Sequence, residues 1–425
     1  MTFLRLLFRN GGRSQDVPVG HPGIWVAAAV LVGAVAAAAV SYTFKRSTPA
    51  VQQSMSMPPG VGAPGGPVTS SDGLRARIDA MEEQLRATPG DLRASVSLAD
   101  ALLRQARATG DSRPAGRAAS VLERTLKDNP SSYDALRLLG AVDLSLHRFA
   151  PAREVGARAR DMRPDDAWNY GVMGDAQLEL GDYDEAFVSF DRMMQLRPGP
   201  AAYARISYAR ELTGDLAGAF EAMWMAYAAT PPQDPEAQAW YATQLGELQL
   251  KRGHPDAAER EFRRALFAFA HYPLAVVGAG KARLALGDTA GALAIFLDAM
   301  RRAPSLDLAA RIGDLYAANA RADEAEHYYG LAEYLAGPTP SQTEATLALF
   351  LAEHDRQLTE AVALAEQVAA TRHDIVTDHA LAWAYFKTGR IGDARKAIER
   401  ALRTGSRDAT LLAHASAIRA AAAHR

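Results

Sequence analysis

From Trp168 to Phe190 the chain reads WNYGVMGDAQLELGDYDEAFVSF, with large apolar residues recurring three and four positions apart, the spacing that lines one face of a helix. Gly171, Gly174 and Gly181 interrupt that face, although a glycine inside a helix costs about 1 kcal/mol relative to alanine. A residue without a side chain lets two backbones approach, so close helix packing offsets the loss. The pattern returns along the chain at intervals of about 34 residues. Gly214, Gly253, Gly287 and Gly389 occupy the place of Gly181. Alanine follows each glycine, at Ala186, Ala219, Ala258, Ala292 and Ala394, and then a large apolar residue, at Phe190, Met223, Phe262, Phe296 and Ile398. Before each glycine stands another small residue, Gly174, Ser207, Gly246, Gly280 or Ala382, and Pro198, Pro231 and Pro304 close three of the units. Period-two alternation of Val, Ile and Thr is scarce, so the pattern predicts paired helices and an all-α protein.

Several of these positions agree together in many units, and in this they resemble the tetratricopeptide repeat family. That resemblance implies helix-turn-helix units with small residues where the two helices cross, a glycine in the turn and a proline ending the second helix. Units then start near Tyr133, Ala167, Pro200, Ala239, Pro273, Leu306, Gln342 and Ile375, with a degenerate one from Leu92 to Asn129. Ala320 and Arg356 replace the turn glycine in two of them, while Ala325 and Ala361 keep the second-helix alanine. The expected fold is a helical solenoid of about eight to nine repeats over residues 72–425. Such an array needs a polar cap at each end. Leu74, Ile78, Met81 and Leu85 form the stripe of one capping helix, and a C-terminal capping helix near 408–423 offers Leu411, Leu412 and Ile418.

Ahead of the repeats, residues 24–44 read IWVAAAVLVGAVAAAAVSYTF without a charge, long enough at about 1.5 Å per residue to cross a hydrocarbon core of about 30 Å. Trp25 and Tyr42 lie near its ends as interfacial aromatics, and Lys45 and Arg46 follow. Residues 1–23 form a short basic segment with Arg5, Arg9 and Arg13 against Asp16, which favours a cytoplasmic N-terminus and translocated repeats. The expectation is one transmembrane helix in a bacterial inner (plasma) membrane with the repeats in the periplasm. A cleaved signal peptide is the competing reading, since Ala36 to Ala39 offers small residues, but the lead-in and the apolar core are both long for one. Residues 45–71, rich in Pro and Gly with few large apolar side chains, read as a flexible tether. Met55 and Met57 inside it form a Met-x-Met pair that suits Cu(I), without further soft ligands beside it.

The charges are balanced, 47 Lys and Arg against 49 Asp and Glu, which does not favour nucleic acid as a partner. There is no cysteine, which excludes disulfides, thiolate metal sites and a thiol nucleophile. GAGK at Gly278–Lys281 lacks the further glycine and the Ser/Thr of a phosphate loop, having Ala275 and Ala282 there, and Gly280 falls on a helix crossing. Asp182, Asp184 and Glu185 lie at a turn and helix start, where acids favour the positive dipole end. No catalytic residues and no cofactor are expected. His354, His373 and His379 are the one grouping that offers an alternative, a metal or small-molecule site in the C-terminal half, although no zinc-type spacing joins them.

The family resemblance implies that the concave surface is lined by set positions of each first helix. Carried onto this chain, those positions give Arg137, Trp168, Asp175, Tyr208, Trp240, Glu247, Lys281, Asp314, Phe350, His379 and Trp383. Rings beside mixed charges suit a peptide or amphipathic helix in a groove, with Trp168, Trp240 and Trp383 as anchors. The alternative is that these tryptophans pack between units. The lysine and asparagine carboxylate clamp of chaperone-binding members is absent at Arg137 and Ala141. The expected function is therefore a membrane-anchored scaffold that binds a protein or peptide segment, in a layout similar to the membrane-anchored repeat subunits of cytochrome c maturation and to an ancillary repeat protein of the secretion translocon.

Overall fold

The computed structural model describes residues 71–336 and 344–423, so the expected transmembrane helix at 24–44 and the tether before Ser71 lie outside the described residues. Among the described residues there are twenty α-helices and no strand, and no helix is long and apolar enough to cross a membrane. A capping helix, α1 (Ser71–Ala87), leads into unit 1, α2 (Leu92–Thr109) with α3 (Arg113–Asp128). Unit 2 pairs α4 (Tyr133–Ser145) with α5 (Phe149–Met162), and unit 3 pairs α6 (Ala167–Leu180) with α7 (Tyr183–Leu196). Units 4 and 5 are α8 (Pro200–Leu212) with α9 (Leu216–Ala228), and α10 (Pro235–Lys251) with α11 (Pro255–Ala268). Units 6 and 7 are α12 (Pro273–Ala285) with α13 (Thr289–Arg302), and α14 (Leu306–Ala318) with α15 (Ala322–Ala336). Unit 8 is α16 (Glu344–Glu353) with α17 (Leu358–Ala369), unit 9 is α18 (Ile375–Lys387) with α19 (Ile391–Ala401), and α20 (Ala409–Ala423) closes the array. Helices pack in sequence order throughout.

Local chemistry sets these boundaries. Proline opens α8, α10, α11 and α12, where its fixed φ suits the first turn and its missing N–H costs nothing. Asp166, Asp215, Asp288 and Ser305 cap helices with their side chains. Unit 5 begins at Pro235 rather than at the expected Ala239, because Asp234 and Pro235 start the helix one turn earlier. In the unit 7 turn Ala320 does take the glycine conformation, at φ 58°. In unit 8 that conformation falls on Asp355 and Gln357 rather than on Arg356, so this turn departs from the repeat.

The small residues sit where the helices of a unit cross. A Cβ on Gly174 would collide with the Phe190 ring, one on Gly246 with Phe262, and one on Gly280 with Phe296. Phe262 is also pressed against Gly278 of the next unit, so both glycines of the GAGK stretch serve packing. In unit 4 the crossing residue is Ser207, whose hydroxyl donates to the Ala219 carbonyl at 2.7 Å across the same gap.

The stack is not an open arc, because distant units touch. Arg107 at the end of α2 pairs with Glu236 at the start of α10 at 2.8 Å, both side chains buried. The turn between α6 and α7 meets the α17–α18 linker: His373 N–H donates to the Leu180 carbonyl at 3.2 Å and Ile375 N–H to the Tyr183 hydroxyl at 2.8 Å. Arg403, beyond α19, donates to the carbonyls of Gly181 at 2.9 Å and His373 at 2.6 Å. One apolar core runs continuously from Leu178, Tyr183 and Phe190 of unit 3 into Leu381, Ala382 and Ile398 of unit 9.

Gly174→Leu should overpack the α6–α7 crossing and destabilise the protein by about 1–3 kcal/mol. Urea unfolding followed by circular dichroism measures this, and an unchanged midpoint counts against the assigned crossing.

Candidate functional site

The first helices of successive units stand side by side and form one wall. Along it runs a ladder of polar pairs, most of them joining one first helix to the next. Arg205 of α8 grips Asp175 of α6 through Nε at 2.9 Å and Nη2 at 2.5 Å. Lys251 of α10 pairs with Glu211 of α8, and Lys281 of α12 with Glu247 of α10 at 3.0 Å. Within α14, Arg311 pairs with Asp307 at 2.8 Å. His354, just after α16, reaches Asp314 of α14 at 2.8 Å, and the Tyr329 hydroxyl donates to the same carboxylate at 3.0 Å. The repeat length places these partners, since residues one unit apart recur at the same height and side of neighbouring helices.

Groups from distant units act on one another across this wall. Asp408, just before α20, bears on Lys251, Glu353 and His379, and Asp374, just before α18, bears on Glu179 and Tyr208. The wall therefore faces inward and its charges sit in a protein-lined space. Burial raises the Lys251 desolvation cost, but Glu211 overrides it and holds the ammonium charged. Burial likewise opposes ionisation of Asp307, yet Arg311 keeps its carboxyl below the ordinary range. Two carboxyls have no such partner among the described residues. Burial and then Asp374 push Glu179 up to about 8, and burial and then Asp314 push Glu353 well above the carboxylate range, with its Oε1 left without a hydrogen bond.

Of the expected groove residues, Asp175, Tyr208, Glu247, Lys281 and Asp314 are half-buried on this wall. Arg137 lies lower, ion-paired with Asp166 at 3.2 Å and stacked 4.0 Å over the Trp168 ring. The aromatic anchors expected to be exposed are packed instead. Trp168 is buried and donates to the Arg137 carbonyl at 3.1 Å. Trp240 is fully enclosed with its edge on Tyr241, and Phe350 is buried beside Tyr329 and His354. Trp383 and His379 are buried with His414, whose ring stacks on Trp383 at 3.5 Å and whose Nδ1 lies 2.8 Å from His379 Nε2. Between the two readings of the tryptophans, the structure realises packing between units. His354, His373 and His379 do not converge: the first meets Asp314, the second Asp378 at 3.1 Å, the third His414. Among the described residues no group of three or more His, Asp or Glu side chains is arranged to hold a metal ion.

Glu179, Arg205, Glu211, Lys251, Arg311 and Glu353 belong to the wall but were not among the expected residues. Asp175 with Glu179 and Glu247 with Lys251 stand one helical turn apart, which is the signal that would have found them. The largest exposed rings lie on second helices instead. Trp224 of α9 and Phe267 of α11 are exposed, and Arg264 lies 5.3 Å over both Trp224 and Tyr227.

This fold and wall define a helical-repeat solenoid of the kind that recognises other chains. The family model of the tetratricopeptide repeat matches residues 111–167 and 243–307. No curated protein matches the sequence. Among solved structures, a chain of the Cut9–Hcn1 hetero-tetramer of APC/C is similar with a TM-score of 0.51 at 16% identity, covering 82% of this chain. This chain spans only 60% of that one. Human IFIT1, solved as a dimer with m7Gppp-AAAA, is similar with a TM-score of 0.53 at 14% identity, covering 78% of this chain and 77% of that one.

Asp175→Ala strands the buried Arg205 guanidinium and should cost about 3–5 kcal/mol. Glu399→Ala breaks an exposed pair with Arg395 and should cost less than about 1 kcal/mol. Denaturant melts of the two variants check the contrast. Burial holds both His379 and His414 neutral, so their pKa values are lowered in the fold. Their stabilisation is complete above the ordinary histidine value of about 6.5 and is lost as pH falls below it. Hydrogen exchange in α20, corrected for intrinsic rates, should accelerate between pH 7 and pH 5.

Proposed function

We propose that the protein is a membrane-tethered scaffold that holds a protein or peptide segment against the wall of first helices. The observation that carries this reading is the ladder itself. Its side chains are polar, most of them half-buried and paired with a neighbour, so the wall is a preorganised polar surface rather than a sealed core. A segment with its own charges and backbone amides can exchange hydrogen bonds with such a surface, and the spacing of the pairs selects which segment does so.

The uncharged stretch from Ile24 to Phe44 supports the tether, and the basic excess ahead of it supports repeats on the periplasmic side of a bacterial inner membrane. In that setting the scaffold acts in the assembly, maturation or secretion of envelope proteins. The ladder pairs basic with acidic groups instead of presenting a basic face, which favours a polypeptide over nucleic acid as the partner. No step in this reading requires catalysis or a cofactor.

A photoreactive residue at Tyr208 should crosslink a partner chain in intact cells. Capture from Phe267 on the outer helices with none from Tyr208 would move recognition to the opposite face and overturn the wall as the site. The anchor is checked separately: the full chain should stay with membranes after an alkaline wash, and its repeats should become protease-sensitive only once the outer envelope is opened.

A further inference from the structure

We infer that the outer face shared by α9 and α11 docks on the surface of a lipid bilayer that carries anionic headgroups. The face consists of two solvent-side stripes at helical spacing. On α9 the exposed residues are Glu221, Trp224, Met225 and Ala228, and on α11 they are Asp256, Arg260, Arg263 and Phe267. Arg264 joins the two stripes, its guanidinium 5.3 Å over both the Trp224 and the Tyr227 ring. Each helix carries its exposed acid toward the start and its rings toward the end, with the arginines of α11 beside Phe267, an order that suits the helix dipole. One end of the face is therefore both apolar and basic.

The shape of that end selects the kind of partner. Phe267 is 93% exposed, so its ring projects from α11 and closes no groove. A partner helix needs a groove in which to seat its apolar side. A projecting ring beside an exposed tryptophan, a methionine and guanidiniums instead fits a fluid layer, where the rings reach the acyl boundary and the arginines extend to the headgroups.

Charge then selects the lipid. The two acids paired with arginines on this face are tucked beneath them. Glu259 is 19% exposed against 67% for Arg263, 4.0 Å away, and Glu261 is 12% exposed against 36% for its partner Arg264. Glu259 is held from below as well, by Arg283 of α12 at 2.7 Å. The outermost charges at the apolar end are guanidiniums, which headgroups of opposite sign complement. Proximity alone rests on the proposed tether: residues 45–71, as a coil, span about 30 Å root-mean-square, which keeps the repeats close to the bilayer and raises the effective concentration of its surface.

The chain has no cysteine, so a single environment-sensitive fluorophore can be placed without background. Ala228→Cys puts it on the face, and Lys396→Cys puts a control on an exposed position of α19. The full-length protein is reconstituted into vesicles of phosphatidylcholine with or without phosphatidylglycerol, and quenching by lipids brominated on the acyl chain is read. The label at 228 should be quenched in the anionic vesicles and the control should not. Arg263→Gln should lower the ratio of quenched to unquenched label at 228 by about fivefold, and Phe267→Glu, at a position too exposed for the fold to depend on it, should abolish the quenching. Four results overturn the inference: no quenching at 228, equal quenching at 396, equal quenching in pure phosphatidylcholine, or a photoreactive residue at Phe267 that captures a protein in intact cells. A chain that resists an alkaline wash of the vesicles but leaves the 228 label in water keeps the tether and loses the docking face. A chain that washes off in alkali yet shows quenching at 228 before the wash keeps the face and loses the tether.

Discussion

Everything in this molecule depends on how closely the two helices of a unit can cross. The gap is set by an aromatic ring lying on a residue with little or no side chain: Phe190 on Gly174, Phe262 on Gly246, Phe296 on Gly280. That contact exchanges helix propensity, about 1 kcal/mol for each glycine, for the burial of a whole ring, which stabilises by about 1.5–3 kcal/mol. The exchange is favourable only while the ring is fully enclosed, and all three are. Because each unit repeats the crossing, each repeats the same offset to its neighbour. The curvature of the stack is thus a summed consequence of one local contact.

Curvature brings the first helices onto the inside, and there the rules change from packing to charge. Asp175, Glu247, Lys281 and Asp314 lie where residues of successive units face each other at nearly constant spacing. A charge moved into such a space needs a partner, and the ladder supplies one from the adjacent helix at almost every rung. The same pairs that make the wall polar enough to receive a ligand also fix the register of one unit on the next. Arg205, with its side chain 2% exposed, contributes mainly to register, whereas the more exposed Lys281 remains open to exchange partners.

The helices were legible in the sequence because their signals are local. Small residue, turn glycine, alanine and large apolar side chain lie within a single unit, and seven of the eight unit starts fall within two residues of the helix starts found. The wall was legible in position but not in state. Trp168, Trp240 and Trp383 occupy the expected helices, yet an indole reads the same in a string whether it caps a groove or fills the space behind one. What decides is the distance to the next unit, and His414, which buries Trp383, lies in the capping helix beyond unit 9. Contacts between distant units left no mark in the pattern at all, since Gly181 resembles every other turn glycine until His373 is seen beside it.

That last contact changes what a solenoid of this kind can do. An open arc offers its inner face at all times, and its affinity is set by that face alone. Here the contact of the α6–α7 turn with the α17–α18 linker ties unit 3 to unit 9, so the inner face is held at one curvature and does not have to be ordered when a segment binds. The contact is made by two backbone N–H donors and one guanidinium, and Tyr183 and Ile375 carry it into the shared apolar core. Leu178 and Phe190 of unit 3 share that core with Leu381 and Ile398 of unit 9, so parting the two units would expose it. The contact between distant units therefore rests on apolar burial as well as hydrogen bonds, and it belongs to the fold as much as the crossings within a unit do.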